Sequence, residues 1–206
     1  CAQLMLVVGT DQGGISHPNW QGNLTFATKL QNKMNEKLFG GIYMKILCFT
    51  DNHFCERSSI ITKYGTKYSL RLENQLASLN WVEQLAKSED CNMVVCLGDF
   101  FDKPHLTDQE LTALQDIQWA EDIPHYFLVG NHESEENDLQ YSSTKVLEGD
   151  NRYIVDKPTL YQILDFELAF LPYVVESNKQ PLETYFPQNS LKLPRILFSH
   201  NDILGL

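Results

Sequence analysis

Short apolar runs alternate with amphipathic stretches through most of this chain, and four of those runs end alike. Ile46-Leu47-Cys48-Phe49-Thr50, Met93-Val94-Val95-Cys96-Leu97, Tyr126-Phe127-Leu128-Val129 and Arg195-Ile196-Leu197-Phe198-Ser199 are short and rich in β-branched and aromatic residues, the pattern of buried strands. Between the first two, Leu72, Leu76, Leu79, Val82 and Ala86 recur at helical spacing, and the helix they predict ends near Lys87-Ser88. Thr107 is expected to cap a second helix, with Glu110 completing a capping box and Leu111, Leu114 and Ile117 on the buried side. A looser region, 134–152, is expected to hold one helix from Tyr141 to Leu147. Tyr161-Gln162-Ile163-Leu164 and Leu168-Ala169-Phe170-Leu171, parted by Asp165-Phe166-Glu167, read as an antiparallel pair. Alternation first and antiparallel strands later predict an α/β fold, a two-sheet β-sandwich flanked by helices.

The first 43 residues form a separate pattern. Residues 4–8 read as a strand and 9–18 as a glycine-rich polar loop; Trp20, Leu24, Ala27, Leu30, Met34 and Leu38 then paint one helix face, from an Asn19 cap to a stop at Gly40-Gly41. Lys29, Lys33 and Lys37 against Asp11 and Glu36 give this part a charge of +1, which leaves −12 of the total −11 on the remainder. Met44-Lys45 reads as a fresh start, so the boundary is expected near residue 43, with 1–43 and 44–206 as two units. The words Val7-Val8-Gly9-Thr10-Asp11 and His17-Pro18-Asn19-Trp20-Gln21-Gly22-Asn23-Leu24 resemble an internal piece of stage II sporulation protein P, a cell-wall amidase and endopeptidase. None of that family's catalytic residues can be placed on the segment, and His17 reads as a loop residue. The opening Cys1, where a Met would start a chain, suggests a truncated reading frame or a processed product.

Composition narrows the classes. With 206 residues and 43% hydrophobic content the chain can bury a core, and it is not a disordered protein. A net charge of −11 and a pI near 4.9 argue against a polyanion binder that relies on surface Lys and Arg alone. Cys1, Cys48, Cys55, Cys91 and Cys96 are odd in number and lack C-x-x-C spacing, and Cys48 and Cys96 fall inside strand runs; a reducing, cytoplasmic setting is expected. No run has the length of a membrane span or the build of a signal peptide.

The chemistry lies just past the apolar runs. They deliver Asp51-Asn52-His53, then Gly98-Asp99-Phe100-Phe101-Asp102, then Gly130-Asn131-His132-Glu133, and finally His200-Asn201-Asp202. Taken singly, a strand-end aspartate more often serves a cap or a turn, Asn131 can serve the turn after Gly130, and His200 alone reads as a surface histidine. Packing gives no reason for four hydrophobic strands to finish in ligand chemistry, so a shared polynuclear metal site is the economical reading. His105 and His125 fit no such motif and are read as structural, Phe100 and Phe101 as core, and Arg57, Lys63 and Lys67 as a solvated loop face.

In this order the motifs resemble those of calcineurin-like metallophosphoesterases. The resemblance implies that Asp51 and His53 ligate one metal, that Asp99 bridges two, and that Asn131 and His200 hold the second. It implies that His132 faces the substrate as an acid or as a clamp on the leaving oxygen, and that Asp102 and Glu133 orient imidazoles. Asp, Asn and His ligands without thiolate suit two divalent ions, Mn first, with Fe, Zn or Mg as alternatives. The family's last motif, Gly-His-x-His, adds one ligand to each metal. The sequence ends at Leu206 without it, so weak metal binding and little turnover are expected of these residues alone.

Within the family, Gly98-Asp99-Phe100-Phe101-Asp102 and the apolar lead into Gly130-Asn131-His132-Glu133 look most like the nuclease subunit of DNA double-strand-break repair and its phage relatives. The implied activity is a manganese-dependent DNA exo/endonuclease working with a coiled-coil ATPase. Two alternatives stay open: a phosphodiesterase or phosphatase acting on nucleotides or phosphoproteins, and a noncatalytic scaffold with the same fold.

Overall fold

The computed structural model of the protein describes residues 44–56, 67–135, 138–163, 166–187 and 193–202. The expected strand and helix of the first 43 residues and most of the loop after His53 lie outside them. Four parallel strands, β1 (Ile46–Phe49), β2 (Met93–Cys96), β3 (His125–Leu128) and β4 (Arg152–Val155), form one sheet in the order β1-β2-β3-β4. A second sheet, β5-β6-β7, pairs β5 (Thr159–Ile163) antiparallel to β6 (Phe166–Leu171), and β6 parallel to β7 (Arg195–Ser199).

Side-chain alternation divides the first sheet between two cores. Leu47, Phe49, Val94, Cys96 and Phe127 face α1 (Leu70–Ser88) and its neighbours, where Leu72, Leu76, Leu79 and Ala86 meet them. Ile46, Cys48, Met93, Val95, Leu128 and Val155 face the second sheet and pack on Leu168, Phe170 and Phe198. Both faces are covered, which is why β1 and β2 are apolar at every position. The far face of the second sheet buries Ala169 and Leu171 against Phe186, just beyond the short helix α3 (Leu182–Tyr185).

Local chemistry sets the helix starts. The Ser69 hydroxyl accepts the Leu72 amide at 3.3 Å, and the capping box of α2 (Asp108–Leu114) is complete, with Thr107 Oγ1 accepting the Glu110 amide and Glu110 Oε2 accepting the Thr107 amide. Three details differ from the sequence reading. α2 stops at Leu114, so Leu111 points outward at 39% exposure while Ala113 and the following Ile117 are buried. The expected helix at 141–147 is a pair of 3-10 turns, Leu139–Tyr141 and Ser143–Leu147. β4 was hidden because it is an edge strand whose Tyr153 faces solvent, leaving no continuous apolar run to read.

Candidate metal centre

The parallel ladder continues past the strand ends and fixes the first two loops side by side. Phe49 is opposite Cys96, and in the same register Asp51 N–H donates to Gly98 O at 3.1 Å, His53 N–H to Asp99 O at 3.0 Å and Phe54 N–H to Phe100 O at 2.7 Å. Beneath them Phe49, Phe54, Phe100, Phe101 and Phe127 form a buried aromatic floor, with Phe100 and Phe101 centroids 4.8 Å apart. From α1, buried Gln75 closes the first loop. Its amide donates to Asn52 O (2.9 Å) and His53 O (2.7 Å), and its Oε1 accepts the Cys55 amide (3.2 Å). Sequence reading passed over Gln75 because a glutamine on a helix face carries no signal of its own.

Asp51, His53 and Asp99 have positive φ (54°, 46° and 51°), a conformation unfavourable for side chains with a Cβ. Such strain persists only where surrounding bonds over-determine it and collects at functional sites. The two glycines answer a different demand. Gly98 has φ +121°, and a Cβ there would stand 2.5 Å from the His200 ring; one at Gly130 would stand 2.5 Å from the Asp99 backbone nitrogen and run into its carboxylate. Both turns bring backbone against a candidate ligand, where only glycine fits.

The side chains named from sequence come together. His200 Nε2 is 3.2 Å from Asp99 Oδ2 and 3.1 Å from Asn131 Oδ1, while its Nδ1 lies 3.0 Å from the Leu97 carbonyl. A carbonyl only accepts, so Nδ1 carries a proton and Nε2 is the atom turned toward the other candidate ligands. His53 Nε2 is 3.8 Å from Asp51 Oδ1, and His53 Nδ1 is 3.2 Å from Asp102 Oδ1. Asp102 also faces His132 Nδ1 at 3.7 Å, which puts one carboxylate against two imidazoles. His132 Nε2 is 3.9 Å from Asp99 Oδ2, and its ring meets that of His53 edge to face at 4.8 Å. Ligand atoms of His53, Asp99 and His132 all lie within 4.8 Å of one another, so His132 stands as near the centre as the side chains expected to ligate.

Glu133 does something other than orient an imidazole. Fully buried, it accepts the Gly130 amide at 2.7 Å and the Phe101 amide at 3.0 Å, tying the third loop to the second. Burial pushes its pKa up to about 7, against the pull of those two N–H groups. Burial also acts on Asp99 and His200, but their mutual hydrogen bond and charge outweigh it, so Asp99 is held below the usual carboxylate range and His200 above the usual imidazole. His105 is exposed beside Glu135 (3.1 Å), and His125 is buried between Glu83 (3.0 Å) and the Ile123 carbonyl (2.7 Å); neither joins the cluster. Lys67 is taken up by Asp116 at 2.7 Å, and Arg57 and Lys63 lie outside the described residues.

Carboxylate, amide and imidazole side chains thus gather at the strand ends, His53, Asp99 and His132 could together hold a metal ion, and such donors fit hard or borderline divalent ions. The chain belongs to the calcineurin-like phosphoesterases, whose family model matches residues 44–204. No curated protein matches it. It is thus a metal-dependent phosphoesterase, a hydrolase of phosphoesters, and among the described residues no helix is long and apolar enough to cross a membrane.

Proposed function

We propose that the protein hydrolyses phosphodiesters at a dinuclear centre held by Asp51, His53, Asp99, Asn131 and His200, with Asp99 shared and manganese the first choice of ion. The observation that carries this reading is the convergence on Asp99. His200 and His132 both turn Nε2 toward its Oδ2, while its Oδ1 accepts the His132 amide at 3.1 Å. When bound, a pair of divalent ions supplies Lewis acidity toward phosphate oxygens and lowers the pKa of water. The protein's part is to hold and orient. Leu97 O fixes the His200 tautomer, Asp102 steadies the His53 and His132 rings, and His132, with 43% of its side chain exposed, is placed to protonate the leaving oxygen.

In this reading the substrate is DNA, the activity is exo- or endonucleolytic, and an ATPase partner supplies the positive surface that a chain of charge −11 lacks. The same charge favours a second reading, a phosphodiesterase or phosphatase on nucleotides or phosphoproteins, which needs no basic groove. Residues 1–43 are taken as a unit distinct from the phosphoesterase domain.

The test is an assay of the full-length protein with Mn2+ against bis(p-nitrophenyl) phosphate, single-stranded DNA, duplex DNA and free nucleotides, with His132→Ala as control. DNA cleavage that His132→Ala abolishes while metal stays bound is the expected result. Cleavage of nucleotides alone selects the second reading, and unchanged turnover in His132→Ala removes that residue from the chemistry.

A further inference from the structure

We propose that Arg71 is a phosphate-binding residue on the flank of this site, its guanidinium taking the non-bridging oxygens of a substrate phosphate; the proposal rests on the phosphodiesterase reading above. The argument begins with how the chain spends its cations. Lys45, Lys67, Lys103, Lys145, Lys179 and Arg195 each sit on a carboxylate. Arg152 bonds the Leu147 carbonyl and lies over the Trp119 ring, and Lys87 reaches the Trp119 carbonyl at 3.4 Å. Among the described residues Arg71 and exposed Lys157 also have no carboxylate partner, and of these four only Arg71 stands beside the candidate metal centre. A guanidinium there that no described carboxylate neutralises needs a reason in a protein this acidic.

Its position supplies one. Arg71 stands in the first turn of α1, and its Nη2 reaches the backbone carbonyl of His53, the centre of the first motif loop, at 3.4 Å. That contact is long, and the same carbonyl is already served by Gln75 at 2.7 Å, so holding the loop does not require Arg71. Its Nε–H is sealed from solvent without an acceptor, in a group that also includes Asn52 Nδ2 and His53 Nδ1. His53 Nδ1 has the Asp102 carboxylate 3.2 Å away, which leaves Arg71 Nε and Asn52 Nδ2 as the two nitrogens without an acceptor beside this loop, more than a purely structural arginine would show. Guanidinium presents a planar fork of donors that matches two phosphate oxygens at once, and Arg71 is only half-buried, so an anion beside the Asp51-Asn52-His53 loop can meet its Nη groups. Sequence reading took Arg57, Lys63 and Lys67 as a solvated loop face and passed over Arg71, because a basic residue in a helix's first turn reads as surface.

The experiment compares the whole chain with Arg71→Ala and Arg71→Lys. Binding of inorganic phosphate in the presence of Mn2+ is measured by calorimetry, alongside kinetics on bis(p-nitrophenyl) phosphate and on a short oligothymidylate. The expected result for Arg71→Ala is at least about tenfold weaker phosphate binding, a raised KM with kcat nearly kept, unchanged Mn2+ affinity and melting temperature, and partial recovery by Arg71→Lys or added guanidinium. Equal effects on both substrates assign the contact to the scissile phosphate, and an effect on the oligonucleotide alone assigns it to a neighbouring one. Unaltered phosphate binding and KM overturn the proposal. So does a variant that melts early, loses Mn2+ and is not rescued by guanidinium, since that is a loop clamp. If the full-length protein hydrolyses none of the probes, the phosphodiesterase reading fails, and the phosphate-binding comparison still decides Arg71.

Discussion

Replacing Gly98 by alanine tests how far the site depends on one missing methyl group. The new Cβ would sit 2.5 Å from His200 Cγ and Nδ1 and 2.9 Å from its Cβ, on a backbone at φ +121°. Holding a non-glycine residue in such a conformation costs roughly 1–3 kcal/mol. The ring cannot stay, and its movement breaks the 3.0 Å contact from His200 Nδ1 to Leu97 O, worth about 1 kcal/mol. Together these give about 2–4 kcal/mol, or a fall in melting temperature of roughly 5–15 °C for a domain of this size. The displaced Nε2 also leaves Asp99 and Asn131, so Mn2+ affinity should drop by about 10–100-fold. Chemical denaturation and metal titration of Gly98→Ala, His200→Ala and the double variant separate the causes. With the ring gone, the backbone cost and the 2.9 Å approach to the Cβ that alanine keeps remain, while the ring clash and the lost Nδ1 contact drop out, giving a coupling of about 1 kcal/mol. Additive effects, or a Gly98→Ala protein within about 0.5 kcal/mol of its parent with metal binding intact, would refute the reasoning.

Other outcomes follow from particular contacts. Gln75→Ala removes a donor from the Asn52 and His53 carbonyls and an acceptor from the Cys55 amide and should cost about 2–4 kcal/mol in denaturant melts while weakening Mn2+ binding, although these bonds of Gln75 all go to backbone. Leu111→Lys should change stability by less than about 0.5 kcal/mol, because that side chain points to solvent; a larger loss would mean the α2 face is wrongly drawn. Burial, with the nearby Cys91 thiol adding to it, raises the Cys48 thiol from 9.0 to about 12, so the unfolded chain loses that proton first and stability falls as pH rises from 9 toward 12. At pH 10 this one group should account for about 1 kcal/mol, read as a shallower loss between pH 8 and 10 in Cys48→Ala than in the parent.

The strands that carry the chemistry were legible because β1, β2 and β3 are buried almost throughout and β7 sets buried Phe198 among half-buried apolar residues, so all read as apolar runs, and each ends in polar residues of a kind packing does not ask for. The α2 capping box was legible for a local reason: its two hydrogen bonds involve residues three apart. Leu111, the 3-10 turns at 139–147 and β4 were misread or missed where local pattern is weak and neighbours decide. Gln75 and Glu133 show the same limit from the polar side. Apart from the Gly130 amide three residues before Glu133, their partners are backbone amides and carbonyls 20 to 32 residues away, and no spacing in the chain encodes those pairings.

By itself the sequence determined which residues could do chemistry and that they follow strands, since hydrophobic periodicity and residue type are local properties. Tertiary structure alone decided that Asp99 sits between His132 and His200, that Gly98 and Gly130 make room for them, and that Glu133 bonds backbone instead of a ring. Those facts depend on the register between strands and on the fold of one sheet over the other, which set distances between residues far apart in the chain.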